Sequence, residues 1–311
     1  MIFKESEVKT ILFIPVMLVA FLLGCETVVD IQIPLEPPKL VINSTLVPGE
    51  FFNIHVSQSQ HILIDSEYRP VDGATVEIYE NETLLTMLPD STRGNYISAV
   101  HKPKPGKRYE VRVSKRGFDN SSAVVTVPAE TAVIRSVTVD TVQLFEFDYQ
   151  ATYLRFNVEM EDNAAIENYY EISVLKEYYQ YDFDYNQRPP ERIDSTWVIE
   201  RIFLETRDLG LEEYQSYGER ILFNDFLFNG KIYTMRVLTF LDYYNEDYES
   251  KPKYHVVIGN TSESYYLYEL SSKLQNWTEG DPFAQPVQVY NNIANGYGIF
   301  GAFNKVIYSI D

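Results

Sequence analysis

The sequence predicts a mainly β protein, in which a small N-terminal β-sandwich is followed by a second antiparallel β-sandwich or barrel-like domain with one short helix. Three observations lead there. Apolar and polar residues alternate over short runs. Turn-forming residues separate these runs at intervals of about ten positions through the first half of the chain. The 25 tyrosines and 18 phenylalanines suit strands that keep one face in water.

The first segment is of another kind. Met1–Thr10 carries Lys4 and Lys9, Ile11–Leu23 is an uncharged apolar run, and Gly24 and Cys25 follow. The run is shorter than the roughly 20 apolar residues of a membrane-spanning helix, and its basic, apolar and small-residue parts are those of a secretory signal. Leu22-Leu23-Gly24-Cys25 resembles the bacterial lipobox, which implies removal of residues 1–24 as a lipoprotein signal peptide and acylation of Cys25. Several acyl chains, at about 0.8 kcal/mol per buried CH₂, make a lasting anchor where one chain would not. Cys25 is the only cysteine, so no internal disulfide can form. Residues 25–38 read as a lipid-anchored extended linker, because Pro34, Pro37 and Pro38 exclude a helix.

A sandwich is expected over 39–130. LVINSTLV ends at Pro48-Gly49, and in the next run Phe52, Ile54 and Val56 alternate with Asn53, His55 and Ser57. Ala74, Val76 and Ile78 then alternate with Thr75, Glu77 and Tyr79, and Tyr109, Val111 and Val113 with Glu110, Arg112 and Ser114. Period two gives each strand one dry face and one wet face. The order V-x-G-A-x-V-x-I, G-x-Y, P-G-K-x-Y-x-V-x-V resembles the prealbumin-like and carboxypeptidase-regulatory-like modules of secreted bacterial proteins. That resemblance implies an Ig-like sandwich and is silent on activity.

Pro128 marks a joint, and 131–311 is expected to form the second β-rich domain, with strand-like runs at TYLRFNVEM, YYEISVLKEYY, TWVIERIFL, KIYTMRVLTFL, YHVVIG and GIFGAFNKVIYSI. One helix interrupts them near 262–276, where Ser and Thr precede Leu267, Leu270 and Leu274 at helical spacing and Gly280 and Pro282 follow. Tyr265, Tyr266 and Tyr268 on it are read as packing or partner contacts.

Charge narrows the function classes. With 26 Lys+Arg against 45 Asp+Glu the chain carries a net −19, spread along its length, which repels phosphate backbones and anionic lipid heads. No nucleic-acid partner is expected, and membrane contact is assigned to the N-terminal acyl chains. Gly296-Tyr297-Gly298-Ile299-Phe300-Gly301 spells G-x-G-x-x-G, but a dinucleotide site needs a helix and a further strand after it, where only ten residues remain. These glycines are read as serving turns and close packing. Asp182-Phe183-Asp184-Tyr185-Asn186 starts like a calcium loop, yet Gln187 and Ile193 stand where Gly and Glu belong. His55, His61, His101 and His255 are scattered, and no nucleophile motif is present. We therefore expect no enzyme, cofactor or metal, with a hydrolase using paired carboxylates as the remaining catalytic alternative.

Two segments, EYYQYDFDYN (177–186) and DYYNEDYE (242–249), are acidic, rich in tyrosine and read as trailing their strands. Aromatic rings beside acceptor oxygens bind sugars, cations or a partner's loops. Tyr178, Tyr179, Tyr181, Asp182, Asp184 and Tyr185 in the first, with Asp242, Tyr243, Tyr244 and Asp247 in the second, are the candidate ligand or partner contacts. Plain strand ends and hairpin tips are the alternative.

Asn224-Asp225-Phe226-Leu227-Phe228-Asn229-Gly230-Lys231, Tyr265-Tyr266-Leu267-Tyr268, Asp281-Pro282-Phe283-Ala284-Gln285-Pro286-Val287 and the run Asn292–Gly301 resemble a lipoprotein family of Bacteroidota, domain of unknown function 4249. Asp90-Ser91-Thr92, Asp140-Thr141-Val142 and Asp194-Ser195-Thr196 are similar to the O-glycosylation sequon of that lineage. The family resemblance implies an outer-membrane lipoprotein, anchored by lipid, that serves a TonB-dependent transporter in nutrient uptake as a ligand-capture or lid subunit; Glu26 and Asp30 after Cys25 favour the cell surface over the periplasmic face and leave the leaflet open. A self-sufficient glycan- or peptide-binding surface module is the alternative, and the resemblance carries over no catalytic or ligand residue.

Cys25→Ser is expected to abolish incorporation of labelled palmitate in a host that processes lipoproteins and to shift the protein into the soluble fraction. Unchanged labelling would refute the anchor.

Overall fold

Alternating burial builds the first half. The structure, a computed structural model, describes residues 36–61, 69–146, 149–208, 210–241, 249–281 and 283–310. The expected signal, Cys25 and most of the linker lie outside the described residues. The first strands are β1 (Leu40–Leu46), β2 (Asn53–Gln58), β3 (Thr75–Glu80), β4 (Thr83–Leu88), β5 (Asp90–Thr92), β6 (Asn95–Ile97), β7 (Arg108–Ser114) and β8 (Ser121–Thr126). One layer runs β1-β2-β6-β5 and the other β4-β3-β7-β8. Leu40, Ile42, Phe52, Ile54 and Val56 from the first layer share one core with Val76, Ile78, Tyr109, Val111 and Val113 from the second. Phe52 meets Tyr109 edge to face at 5.1 Å, and the buried phenol of Tyr109 is satisfied by donating to Glu80 at 3.0 Å.

The second half contains β9 (Val133–Glu146), β10 (Tyr149–Glu161), β11 (Tyr169–Asp184), β12 (Glu191–Arg201), β13 (Leu204–Glu205), β14 (Tyr217–Gly218), β15 (Ile221–Asn224), β16 (Ile232–Phe240), β17 (Lys253–Thr261), the helix α1 (Glu263–Thr278) and β18 (Tyr297–Ile310). Its layers are β14-β13-β16-β10-β9 and β12-β11-β17-β18, with β15 paired to the start of β11. Phe156, Val158, Met160, Met235 and Val237 from one layer pack with Tyr170, Ile172, Val174, Val256 and Ile258 from the other. The chain is mainly β and the barrel-like alternative is corrected: no barrel closes among the described residues, because β12 and β9 each end a sheet with one edge unpaired.

The two cores share a strand. Val41–Leu46 pairs in parallel with Tyr297–Ala302, and Phe303–Ile310 pairs antiparallel with Tyr254–Thr261. One sheet therefore runs β12-β11-β17-β18-β1-β2-β6-β5 through both halves. The chain does not visit the cores one after the other, since Phe300 and Ala302 return to the first. Pro38–Asp311 forms a single unit as a result.

Backbones approach closely at this joint, and the false dinucleotide motif supplies the room. Gly298 has φ +109, and a Cβ there would overlap the carbonyl oxygen of Ile42. A Cβ on Gly301 would stand 2.9 Å from that of Tyr265. Asn292 imitates a strand partner, its side chain accepting from the Phe300 N–H at 3.0 Å and donating to the Phe300 carbonyl at 2.9 Å. Asn304 donates to the Pro128 carbonyl at 2.9 Å and ties the strand to the passage between the cores.

The helix is fastened to the same strand. Ser262 caps it, its hydroxyl accepting from the N–H of Tyr265 at 3.2 Å and of Ala302 at 3.0 Å. The buried face is Tyr265 and Tyr266, and the expected leucine row, Leu267, Leu270 and Leu274, is only half-buried. The reason is the docking site: Tyr265 stacks on Phe303 with centroids 6.0 Å apart and Tyr266 lies 4.9 Å from Tyr169, so the first turn makes the contacts.

Gly298→Ala is expected to cost about 3–5 kcal/mol, the sum of positive-φ strain and steric overlap. Gly49→Ala, also at positive φ but with open space around it, should cost only about 1–2 kcal/mol. Urea midpoints at constant m-value measure both, and equal losses would remove the packing role of Gly298.

Candidate functional site

Even positions of β11, Tyr170, Ile172 and Val174, enter the core, so Glu171, Ser173 and Leu175 leave from the outer face of the sheet. There they floor a cleft of about 290 Å³, walled by Thr45, Val47 and Glu50 from the first half and by Arg220, Tyr265 and Glu269. Glu171 is 2% exposed. It accepts from the Tyr265 hydroxyl at 2.6 Å and lies 3.6 Å from Arg220, which donates to Tyr265 at 2.9 Å and to Glu269 at 2.8 Å.

Burial pushes the Glu171 carboxyl above the usual carboxylate range, and the charge of Arg220 with the Tyr265 hydrogen bond offsets this only in part. Burial likewise raises the Tyr265 hydroxyl, with the charges of Glu171 and Glu269 adding to it. For Arg220 burial works to lower the pKa, but Tyr265, Glu171 and Glu269 together outweigh it and raise it. Lys273 donates to the carbonyls of Gln215 and Tyr217, and burial followed by the charge of Arg220 brings it down to about 8. At the cleft rim Lys305 donates to Glu50 at 2.7 Å. Arg201 also lines the cleft, close enough for its charge to act on Glu171, and makes no hydrogen bond or ion pair among the described residues.

A hydrogen-bonded row continues from the cleft across four adjacent strands. Ser309 Oγ lies 2.9 Å from His255 Nδ1, His255 Nε2 lies 2.7 Å from Glu177 Oε2, and Trp197 Nε1 donates to Glu177 Oε1 at 3.2 Å. The Trp197 hydrogen bond, then that of His255, holds the Glu177 carboxyl below its ordinary value. Hydroxyl, imidazole and carboxylate in this order match a hydrolytic triad. The chemistry also needs donors aimed at an oxyanion above Ser309, and N–H groups of a strand lie in the plane of the sheet. The row is better suited to presenting fixed donors and acceptors than to breaking bonds.

The first acidic, tyrosine-rich segment does not trail its strand. It is the strand: Glu177–Asp184 pairs with Glu191–Ile199, and only Tyr185 and Asn186 lie in the turn. Tyr179 stands opposite Trp197 on the outer face, and these two rings are 48% and 53% exposed. The Arg192 guanidinium covers Tyr181 at 3.4 Å, on the same face. Tyr178 and Asp182 point to the opposite face, with Lys176 4.5 Å from the Tyr178 ring and Asp182 opposite Asp194. Asp184 accepts from the backbone N–H of Asn186 at 2.9 Å, and Tyr185 is 66% exposed at the tip. Asp242, Tyr243, Tyr244 and Asp247 lie outside the described residues. The described end of their segment reaches the first, since the Ser250 N–H donates to the Tyr179 carbonyl at 2.8 Å and Glu249 bridges to Gln180.

A second polar centre is structural. Asp162 accepts from the Tyr170 hydroxyl at 2.6 Å and the Gly230 N–H at 2.7 Å, and Asp225 from the Asn168 N–H at 2.8 Å. Protein donors thus already fill these carboxylates. Among the described residues no group of three His, Cys, Asp or Glu is placed to hold a metal ion, and no helix is long and apolar enough to cross a membrane.

Glu171, Arg201, Arg220, Glu269 and Trp197 escaped the sequence reading, and His255 was set aside there as one of four scattered histidines. Glu171 carried a signal, being the acid in the otherwise apolar start of YYEISV, but it looked like the wet face of an ordinary strand. Arg220 carried none, because only the pairing of β15 with β11 brings it there.

The chain belongs to the family described as Domain of unknown function (DUF4249), whose model matches residues 26–308. The match spans both cores and the shared strand. No curated protein matches the chain.

A carboxyl whose folded pKa is raised binds its proton more tightly in the folded state. Its contribution is complete below the unfolded value of 4.5 and is lost as pH rises through the folded value. Glu171→Gln should therefore lose less stability than the native chain as pH rises above the unfolded value of 4.5, read from urea midpoints. Parallel curves would show that Glu171 ionises as an ordinary surface acid.

Proposed function

We propose that the chain is an outer-membrane lipoprotein, tethered by acyl chains on Cys25 and facing the cell surface, that acts as the ligand-capture or lid subunit of a TonB-dependent transporter. The observation that supports this best is the β11–β12 ribbon, which leaves Tyr179, Tyr185 and Trp197 exposed at the rim of a chain carrying a net −19. Large rings cost free energy in water and contribute most at recognition surfaces. Capture needs no bond to be broken, in keeping with strand N–H groups that lie in the plane of the sheet and not above Ser309. The location and the transporter rest on the lipobox and on the resemblance to lipoproteins of Bacteroidota.

A second reading, a self-sufficient glycan- or peptide-binding module, is favoured by the cleft, because a lid alone would not need a ligand-sized recess beside its aromatic ribbon. The two readings part on the partner. A tag placed after Asp311, followed by mild detergent extraction of outer membranes, pull-down and mass spectrometry, is expected to recover a TonB-dependent transporter in stoichiometric amount. A chain recovered alone would reject the accessory role and leave the self-sufficient module.

A further inference from the structure

We infer that the outer face of the large sheet, from Arg201 at the cleft to Trp197 on the ribbon, binds an acidic oligosaccharide, with a carboxylate on Arg201 and a sugar ring against Trp197 and Tyr179. The inference deepens the capture reading and depends on it only for where the ligand goes next.

Charge carries the first part. The cleft holds Arg201, Arg220 and Lys305 against Glu50, Glu171 and Glu269, an even balance in a chain where 45 acids outnumber 26 bases. Arg220 and Lys305 are committed to Glu269 and Glu50. Arg201 is exposed, lines the recess and makes no hydrogen bond or ion pair among the described residues. A guanidinium left uncommitted this way takes a carboxylate through two parallel hydrogen bonds.

Spacing carries the second. Arg201, Ile199 and Trp197 lie opposite Leu175, Glu177 and Tyr179, so all six share one face. At about 3.3 Å per residue the distance from Arg201 to Trp197 is roughly 13 Å, the span of a short oligosaccharide and more than one sugar covers. Trp197 is 53% exposed while its Nε1 is tied to Glu177, so the ring is held in place and open before any ligand arrives.

The polar row selects the ligand class. Ser309, His255 and Glu177 present hydroxyl, imidazole and carboxylate groups beside the aromatic pair, which matches a ligand dense in hydroxyls. An extended peptide would look for backbone partners, and those lie on a sheet edge, not on its face.

The test is isothermal titration of the full chain in detergent with trigalacturonate, triguluronate, neutral maltotriose and a tripeptide with a free carboxylate. A uronate trisaccharide should bind at least tenfold more tightly than maltotriose, and added salt should weaken it. Arg201→Ala should weaken the uronate about tenfold or more while leaving maltotriose unchanged, and Trp197→Ala should weaken both sugars. Both side chains are exposed, and unchanged circular dichroism would verify the fold. Equal affinity for acidic and neutral sugars, binding indifferent to Arg201→Ala, tripeptide binding alone, or no uronate binding at millimolar concentration would each overturn the inference. The titration involves no transporter, so its failure and an empty pull-down are separate results.

Discussion

The parallel pairing of Tyr297–Ala302 with Val41–Leu46 is the constraint on which the rest depends. A parallel pair cannot be closed by a tight turn and needs a long connection. Here almost the whole chain is that connection, so β1 must wait for the last strand before its sheet is complete. The first core is finished by Phe300 and Ala302, residues that lie far beyond it in sequence. One position after Ala302 the same strand is bonded to β17, and the second core acquires its central sheet. The cleft follows from this exchange: where β18 leaves β1 to join β17, Val47 and Glu50 from one half come to face Lys305 and Ile307 on the shared strand.

Placing a helix over that crossing has an electrostatic consequence. The first turn of α1 packs Tyr265 on the outer face of the sheet and buries Glu171 beneath it. A buried carboxylate without partners would be costly, and here a tyrosine hydroxyl and a guanidinium share the work of holding it. Arg220 spans from Glu171 to Glu269 and so links sheet to helix. This arrangement satisfies the buried acid by using up Arg220, which is why Arg201, four residues along the ribbon from Trp197, is the cation left to meet something else.

Much of the strand content was legible because burial on one face leaves a period-two record, as in Phe52, Ile54 and Val56, or Tyr109, Val111 and Val113. The helix was legible from its cap, Ser262, and its end, though not from the face it buries. What stayed hidden was everything decided by pairing between distant strands. Nothing local says that Gly298 sits against Ile42, that the tyrosine-rich run is paired along its length, or that His255 stands between Ser309 and Glu177. The glycines of the G-x-G-x-x-G run were readable as packing residues only in the negative, from the absence of any following helix, while their true neighbour lies more than 250 positions earlier in the chain.

The ribbon poses a physical problem whose solution bears on its use. β12 is an edge strand of 11 residues with apolar side chains, the kind of surface on which a second copy could add a strand. Glu191, Arg192, Asp194, Glu200 and Arg201 place charge along it, and Asp182 faces Asp194 across the pair. Like charges opposite one another weaken the hairpin itself, so they are a cost the local fold would be better without. They are consistent with an edge guarded against self-pairing, in a chain whose net −19 already repels another copy. A surface protected in this way yet still exposing Trp197, Ile199 and Tyr179 keeps its apolar area on the face while charge guards the edge. Recognition across the face, by something that lies flat on the rings, is the one mode of contact that both features leave open.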